Sequence, residues 1–404
     1  MKISDFTWRV YRIPFRRPFT TAHGPLSLRT GALVSVRTDD GHVGHGEIAP
    51  LPSQSGASLD AALGALPGLA RELRGRELAD ILRFLAVQSS SEKQDGDGQH
   101  RRYTLREGDA RSGGPRGRTV MGQLPSALVC GLETALLDAA GQASGRSVAA
   151  LLASGYPFAE DCESSAPRAH VLVNAVIGGE TLEMAVTQAQ IAVKAGFACL
   201  KLKVTGASEV ESERVAAIRA AIGPEVSLRL DANEGWSFEQ ARSLLTRCAP
   251  YAIQYVEQPL PARDLAGMAR LRRVSPIPLG ADEALTGLES ALRILDTEAA
   301  DVLILKPQLA GGLLACREII QQANQRNVAC VITSTLEAGI GVAAALHLAA
   351  ASPEVTMACG LATLALLEDD LLRDGLMIER GCMAVPRCPG LGVALNRKVL
   401  QHYL

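Results

Sequence analysis

Between residues 166 and 375, short apolar runs rich in β-branched residues alternate eight times with helix-like stretches such as "ESERVAAIRAAIG" and "FEQARSLLTRCA". The runs are "HVLVNAVI" (170–177), "CLKLKV" (199–204), "SLRLDAN" (227–233), "IQYVEQP" (253–259), "IPLGADE" (277–283), "DVLILKP" (301–307), "ACVITST" (329–335) and a weaker "VTMACGL" (355–361). Strands separated by helices pair in parallel, because the helix carries the chain back to the same end of the sheet. Seven or eight such units close on themselves. The expected fold class is therefore α/β, a (β/α)7-8 TIM-type barrel over residues 166–375.

The first 165 residues read differently. Residues 1–60 read as strands and turns, and "LVSVRTDDGHVGHGEIAPLP" carries an Asp-Asp-Gly turn between two alternating runs, a hairpin signal. Residues 58–87 have helical periodicity, and "LPSALVCGLETALLDAAGQASG" (124–145) predicts a buried helix ending at a glycine. From Gln88 to Arg118 almost nothing can be buried, so 88–118 is expected to be a low-complexity insertion that cannot offset its own ordering entropy.

Charge excludes several partners. With 41 Lys and Arg against 43 Asp and Glu, the net charge is −2, and no global basic field favours nucleic acid or an anionic membrane. No run of apolar residues is long enough for a transmembrane helix, and "MKISDFTWRVYRIPF" lacks the apolar core of a signal peptide. Nine scattered cysteines without a C-x-x-C pair fit reduced core thiols, so a cytoplasmic location is expected.

The charged residues near the ends of the strand runs carry the chemistry. Lys203, Asp231, Glu257, Asp282 and Lys306 follow one another at gaps of 28, 26, 25 and 24 residues, about one βα unit each. The C-terminal ends of barrel strands converge on one mouth, where such folds keep their active sites. A loop ion pair would explain any one of these acids; the shared period favours one common cluster. Three carboxylates brought together need a compensating cation, and oxygen ligands without His or Cys suit Mg²⁺ or Mn²⁺. Lys201 shares a strand face with Lys203, and like charges that close disfavour the ammonium form. A lysine poised nearer neutrality could remove the proton beside a carboxylate, with the metal stabilising the enediolate. Lys306 would face Lys203 as a second acid/base or as a cation on the intermediate.

The set "KLKV", "RLDANEGW", "VEQP", "ADE" and "LKPQLAGG" resembles the enolase superfamily, in its muconate-lactonizing subgroup, over nearly the whole chain. That resemblance implies Asp231, Glu257 and Asp282 as metal ligands and Lys201, Lys203 and Lys306 as catalytic lysines. It also implies that residues 1–165 form an N-terminal α+β capping domain, with "RRPFTTAHGP" (16–25) and "GEIAPLP" (46–52) as substrate-facing loops. Residues 376–404 would return to the cap through "PGLGV" (389–393).

Within the subgroup, "GEIAPLP", "ITSTLEAGIG" (332–341) and "CGLATLALLEDD" (359–370) resemble the o-succinylbenzoate synthase family, a metal-dependent lyase of menaquinone biosynthesis. This implies syn dehydration of a succinyl-hydroxycyclohexadiene carboxylate, with Arg229, Asn233, Ser334, Gly360 and Leu361 supporting the metal strand or holding the substrate. The alternative is 1,1-proton transfer by an N-succinylamino acid racemase or a dipeptide epimerase. Dipeptide epimerases usually carry Asp-x-Asp on the eighth strand, and "MACGLAT" has no acid there. A non-catalytic barrel is the remote third reading, disfavoured by so costly a charge cluster. The expected partner is a small-molecule carboxylate, with apolar surface left for a homo-oligomer.

Overall fold

The structure, a computed structural model, describes residues 1–21, 24–51, 58–89, 124–158, 166–178, 181–204, 206 and 209–404. The insertion expected at 88–118 lies outside these residues from position 90 on, as do two residues of the 16–25 loop and Pro52 of the 46–52 loop.

The chain opens with a three-stranded antiparallel sheet: β1 (Ile3–Thr21), β2 (Gly24–Thr38) and β3 (Val43–Ile48), in that order. The expected hairpin joins β2 to β3. Helices α1 (Leu59–Leu73), α2 (Leu78–Ser89), α3 (Ser126–Ser144) and α4 (Val148–Ala153) follow. The single periodic stretch over 58–87 is thus two helices, because Gly75 takes φ 79° between them, a conformation that interrupts a right-handed helix. Gly145 ends α3 in the left-handed conformation, as its position in the sequence implies.

The second half is built from β4 (His170–Leu172), β5 (Ala175–Ile177), α5 (Leu182–Lys194), β6 (Cys199–Lys203), α6 (Glu209–Ile222), β7 (Ser227–Asp231), α7 (Phe238–Cys248), β8 (Ile253–Glu257) and α8 (Leu265–Val274). It continues through β9 (Leu279–Ala281), α9 (Leu288–Asp296), β10 (Val302–Leu305), the short α10 (Pro307–Ala310), α11 (Leu313–Asn324), β11 (Ala329–Ile332) and α12 (Gly339–Ala351). Strands β5 to β11 form one parallel sheet in chain order. The weak eighth run supplies only two single parallel bridges, Thr333 with Gly360 and Cys359 with Val173, which carry the ladder from one edge of the sheet towards the other. Among the described residues seven strands of the expected barrel form one parallel sheet, and the eighth run contributes bridges alone. The end of the chain adds β12 (Ile378–Glu379), which pairs with β13 (Cys382–Ala384), which in turn pairs with β4, and α13 (Arg397–His402).

Parallel strands covered on both faces need apolar residues at every position, and all four residues of β10 are buried. The covering helices need one apolar stripe: α9 buries Leu288, Ala291, Ile294 and Leu295, a spacing that keeps them on one face. Helix α12 is buried all round because the N-terminal strands and α4 lie against it. Inside that contact the buried Glu47 of β3 accepts hydrogen bonds from the Tyr11 hydroxyl and from the amides of Ala338 (2.7 Å) and Gly341 (2.8 Å). An acid at a helix N-terminus meets both unpaired amides and a favourable dipole.

His347 of α12 joins three segments. Its Nδ1 accepts from the Ala149 amide (3.2 Å), and its Nε2 lies 2.9 Å from the Leu391 carbonyl. Nearby, Leu391 donates its amide to Asp138 (2.8 Å) and Val148 donates to the Gly390 carbonyl (2.8 Å), so residues 390–391 lie against α3 and α4. Burial pushes the imidazole pKa down from 6.5 to about 4. Between those values the unfolded chain binds more protons at this site than the folded one. Stability is therefore expected to fall as pH drops from about 6.5, reaching a loss of about 3 kcal/mol below about 4. Urea unfolding midpoints of the protein and of His347→Gln between pH 7 and 4 check this; the variant should lack that part of the slope.

Candidate active site

Five strand ends of the parallel sheet bring the periodic charges together. Lys203 ends β6, Asp231 ends β7, Glu257 ends β8, Asp282 follows β9 and Lys306 follows β10. In the ladder Lys203 pairs with Asp231 and Asp231 with Glu257, so neighbouring ends lie level. The three carboxylates are 1–3% exposed, while 31% of the Lys203 side chain and 12% of Lys306 reach solvent.

The two lysines of β6 do not meet bare. Lys203 Nζ lies 2.7 Å from Asp231 Oδ2 and 2.7 Å from Asn233 Oδ1. Lys201 Nζ reaches the same Asp231 oxygen at 3.0 Å and Glu257 Oε1 at 2.9 Å. The expected mutual repulsion is therefore taken up by the acid between them. Burial works to lower the Lys201 pKa, but Asp231, Glu257 and Asp282 outweigh it and hold it well above the usual lysine value. At the other end Lys306 Nζ contacts both Asp282 oxygens, at 2.6 and 2.7 Å. Its pKa is raised too: burial opposes, and Asp282, Glu283 and Glu257 prevail.

Asp231 and Glu257 compete unequally for these cations. Asp231 has two ammonium groups, which overcome its burial and keep it ionised well below the carboxylate range. Glu257 shares only Lys201. Burial, followed by the charge of Asp231, pushes it up to about 8, with Asp282 adding to the shift. Glu257 Oε2 is buried and has no hydrogen-bond partner. Among the described residues no three carboxylate, imidazole or thiol groups are placed to hold a metal as they stand, since ammonium groups lie between the acids. The donor chemistry nevertheless fits a hard dication: carboxylate oxygens alone, one unpartnered and one acid raised for want of positive charge.

Two side-chain amides hold this row from outside it. Asn233 donates from Nδ2 to Glu283 Oε1 (3.0 Å), which turns its Oδ1 towards Lys203. Gln258 is fully buried, and its Oε1 accepts the amides of Asp282 (3.0 Å) and Ala284 (3.2 Å) while its Nε2 donates to the Leu260 carbonyl (2.9 Å). Both residues lie in the left-handed region, Asn233 at φ 42° and Gln258 at φ 38°. Such conformations cost about 1–3 kcal/mol and persist where the surroundings over-determine them. Gln258→Leu is expected to leave two buried amides unsatisfied and to weaken Mg²⁺ binding by about 10- to 100-fold. Titration calorimetry with MgCl₂ checks it; unchanged affinity would rule out this prop.

The remaining sequence candidates fare differently. Arg229 lies beneath the row, 1% exposed, with Nε on Gln254 Oε1 (2.7 Å), Nη1 on the Ala358 carbonyl (2.8 Å) and its guanidinium over the Tyr255 ring. It braces the strands beneath the carboxylate row. Ser334 hydrogen-bonds Thr363 through their hydroxyls (2.8 Å). The Gly360 amide donates to the Ile332 carbonyl (2.9 Å), and its carbonyl accepts from Ser334 (3.2 Å), so ladder pairing engages the backbone expected to bind an acyl arm. The Leu361 side chain is buried, and its carbonyl accepts from Thr363 (2.9 Å). Sequence reasoning missed Glu283, although "ADE" offered it beside Asp282, and it missed Gln258 within "VEQP". Among the described residues the cysteines are all unpaired thiols, and no helix is long and apolar enough to cross a membrane.

Comparison with known proteins agrees with this geometry. The chain is 29% identical to the D-Ala-D/L-Ala epimerase of Cytophaga hutchinsonii, over 97% of this chain and 96% of the relative. It is 36% identical to the o-succinylbenzoate synthase of Thermobifida fusca, over 60% of this chain and 75% of that protein. The crystal structure of a dipeptide epimerase from Enterococcus faecalis V583, complexed with Mg and the dipeptide L-Leu-L-Tyr, superposes with a TM-score of 0.82 at 26% identity, covering 98% of this chain and all of that one. The enolase C-terminal domain-like family matches residues 184–399. That match runs from α5 into α13 and takes in every strand end bearing a lysine or carboxylate, and on it the chain belongs to the enolase superfamily.

Proposed function

We propose that the protein is an epimerase or racemase that moves a proton off and onto the carbon beside a carboxylate, in an amino acid whose nitrogen is held in an amide. The observation that carries this reading is the pair Lys203 and Lys306, one at each end of a single carboxylate row. Two such lysines serve a carbon held over the row from two sides, one base for each enantiomer. The full-length likeness to a dipeptide epimerase in sequence, and to another in fold, supports inversion over dehydration.

The amine side of the substrate is argued from charge. A free ammonium would need an acid, and Met357–Thr363 carries none. Asp369 and Asp370 each accept an amide two residues on, from Leu371 and Leu372 (2.9 Å each), and so are engaged in local turns. An N-acylated amino acid, such as an N-succinyl derivative, suits this surface better than a dipeptide with a free amine.

In this reading Asp231, Glu257 and Asp282 would hold Mg²⁺ or Mn²⁺. Bound there, the ion supplies positive charge for the substrate carboxylate and for the enediolate oxygens that form when the proton leaves. Lys203 takes the proton from one face and Lys306 delivers one to the other. Lys201 spans Asp231 and Glu257 and positions both. Asn233 directs Lys203, and the Ser334–Thr363 hydroxyls are candidates for the acyl arm. Residues 1–165 act as a cap, 166–375 as the catalytic barrel, and 376–404 as the segment that returns to the cap.

The 36% identity with o-succinylbenzoate synthase supports dehydration as the second reading. Lys203 would then both remove the proton and protonate the departing hydroxyl, with Lys306 serving only as a cation. One experiment separates them. The protein with Mg²⁺ in D₂O is given N-succinyl-L-arginine or the succinyl-hydroxycyclohexadiene carboxylate. Deuterium at Cα together with the D-enantiomer is the expected result. Loss of water from the cyclohexadiene without exchange on the amino acid would replace the first reading by the second.

A further inference from the structure

We infer, resting on the two-lysine reading above, that the N-terminal strands and α3 set the position of Lys306 and leave that of Lys203 to the parallel sheet, with Gln308 and Glu133 as positioning residues. The stretch from Lys306 to Leu314 is gripped at both ends from outside its own sheet. At the first end Gln308, 2% exposed, donates from Nε2 to the Glu47 carbonyl (2.8 Å) and accepts the Ala49 amide at Oε1 (2.9 Å). These two bonds copy a strand pair onto the end of β3, and a backbone carbonyl and amide as partners leave only one orientation for the side-chain amide. The Ala49 carbonyl is bound as well, by the Thr335 hydroxyl (3.1 Å) and by Arg29.

At the second end Glu133 of α3, fully buried, accepts the amides of Leu313 and Leu314 at the start of α11, the latter at 2.9 Å. Its carboxylate stands where a side chain at residue 312 would go: a Cβ on Gly312 would fall 2.8 Å from Glu133 Oε2, and Gly312 has φ 113°. Between the ties Lys306 caps α10 with its carbonyl, accepting the amides of Leu309 and Ala310 (2.9 Å each). The backbone that carries the Lys306 ammonium is thus registered against β3 and α3.

Lys203 is held by its own sheet. Its carbonyl accepts from Arg214 (3.2 Å), the following amide, of Val204, donates to the Asp231 carbonyl (2.9 Å), and its ammonium meets Asp231 and Asn233. Two bases with different supports should respond differently when one support is removed. A misplacement of about 1 Å can cost about 100-fold in a proton transfer that depends on alignment.

The test measures loss of the α-hydrogen from N-succinyl-L-arginine and, separately, from N-succinyl-D-arginine, in D₂O with Mg²⁺. Lys306→Ala identifies the enantiomer whose hydrogen Lys306 removes, and Lys203→Ala identifies the other. Gln308→Met keeps the volume and loses both hydrogen bonds. It is expected to slow exchange from the Lys306 enantiomer by about 10- to 100-fold while changing the other by less than about twofold. Gln308→Glu keeps the acceptor for Ala49 and loses the donor, so a smaller loss with the same asymmetry is expected; it carries the test if the methionine variant does not fold. Equal losses on both enantiomers, or no loss, would overturn the inference while the single-lysine variants still uphold the function. Wild-type protein that exchanges neither enantiomer would overturn the proposed function and this inference with it.

Discussion

Lys203→Ala is expected to lower turnover on the order of 10³-fold while leaving the protein folded. The loss is large because no neighbour can take over the proton. Lys201 lies on the same strand face, but its ammonium is fixed between Asp231 and Glu257 and its pKa is held high by them. The fold should survive because every partner of Lys203 keeps another. Asp231 retains Lys201 at 3.0 Å, and Asn233 retains Glu283 at 3.0 Å. Initial rates with N-succinyl-L-arginine and a thermal melt of the same preparation check both halves. Activity within about tenfold of the wild type would remove Lys203 from the proton path.

The second large effect concerns the cation. Chelation is expected to abolish activity and MgCl₂ to restore it, with Mg²⁺ affinity rising steeply between pH 7 and 8. Glu257, at about 8, is mostly protonated at pH 7 without a cation, because burial and two neighbouring acids disfavour its charge. A hard dication takes only the ionised carboxylate, so binding expels a proton and is favoured as pH rises. Calorimetry at pH 7 in two buffers of different ionisation enthalpy should report release of roughly one proton per ion bound. Glu257→Gln should abolish that release and weaken binding. A proton count near zero in the wild type would show that Glu257 is already ionised, and that Lys201 is a stronger partner than its division between two acids implies.

The charge row was readable in the chain because each βα unit is local. One unit places one strand end, the unit length repeats, and a repeat of 24 to 28 residues is visible as spacing. The same locality made the β2–β3 hairpin and the end of α3 legible, the first from its turn residues and the second from Gly145. The vestigial eighth strand was the weakest of the eight runs and forms only bridges. Where one segment meets a distant one, legibility stopped. Arg229 stands two residues before Asp231 and looked like part of the site, yet its side chain lies among Gln254, Tyr255 and Ala358 below it. Gly360 looked free to bind an acyl arm, but the ladder to Ile332 and Ser334 engages it.

The sequence by itself determined the parallel αβ order, the five charged strand ends and the all-oxygen character of the donor set, since each follows from residue type and local period. Tertiary structure alone decided how those charges are shared. It put Lys201 between two acids, left Glu257 short of positive charge, and tied the Lys306 stretch to Glu47 and Ala49 through a glutamine 261 and 259 residues away. Such contacts join single side chains across the fold. They recur with no period and need no distinctive residue type, so only the folded geometry brings them into view.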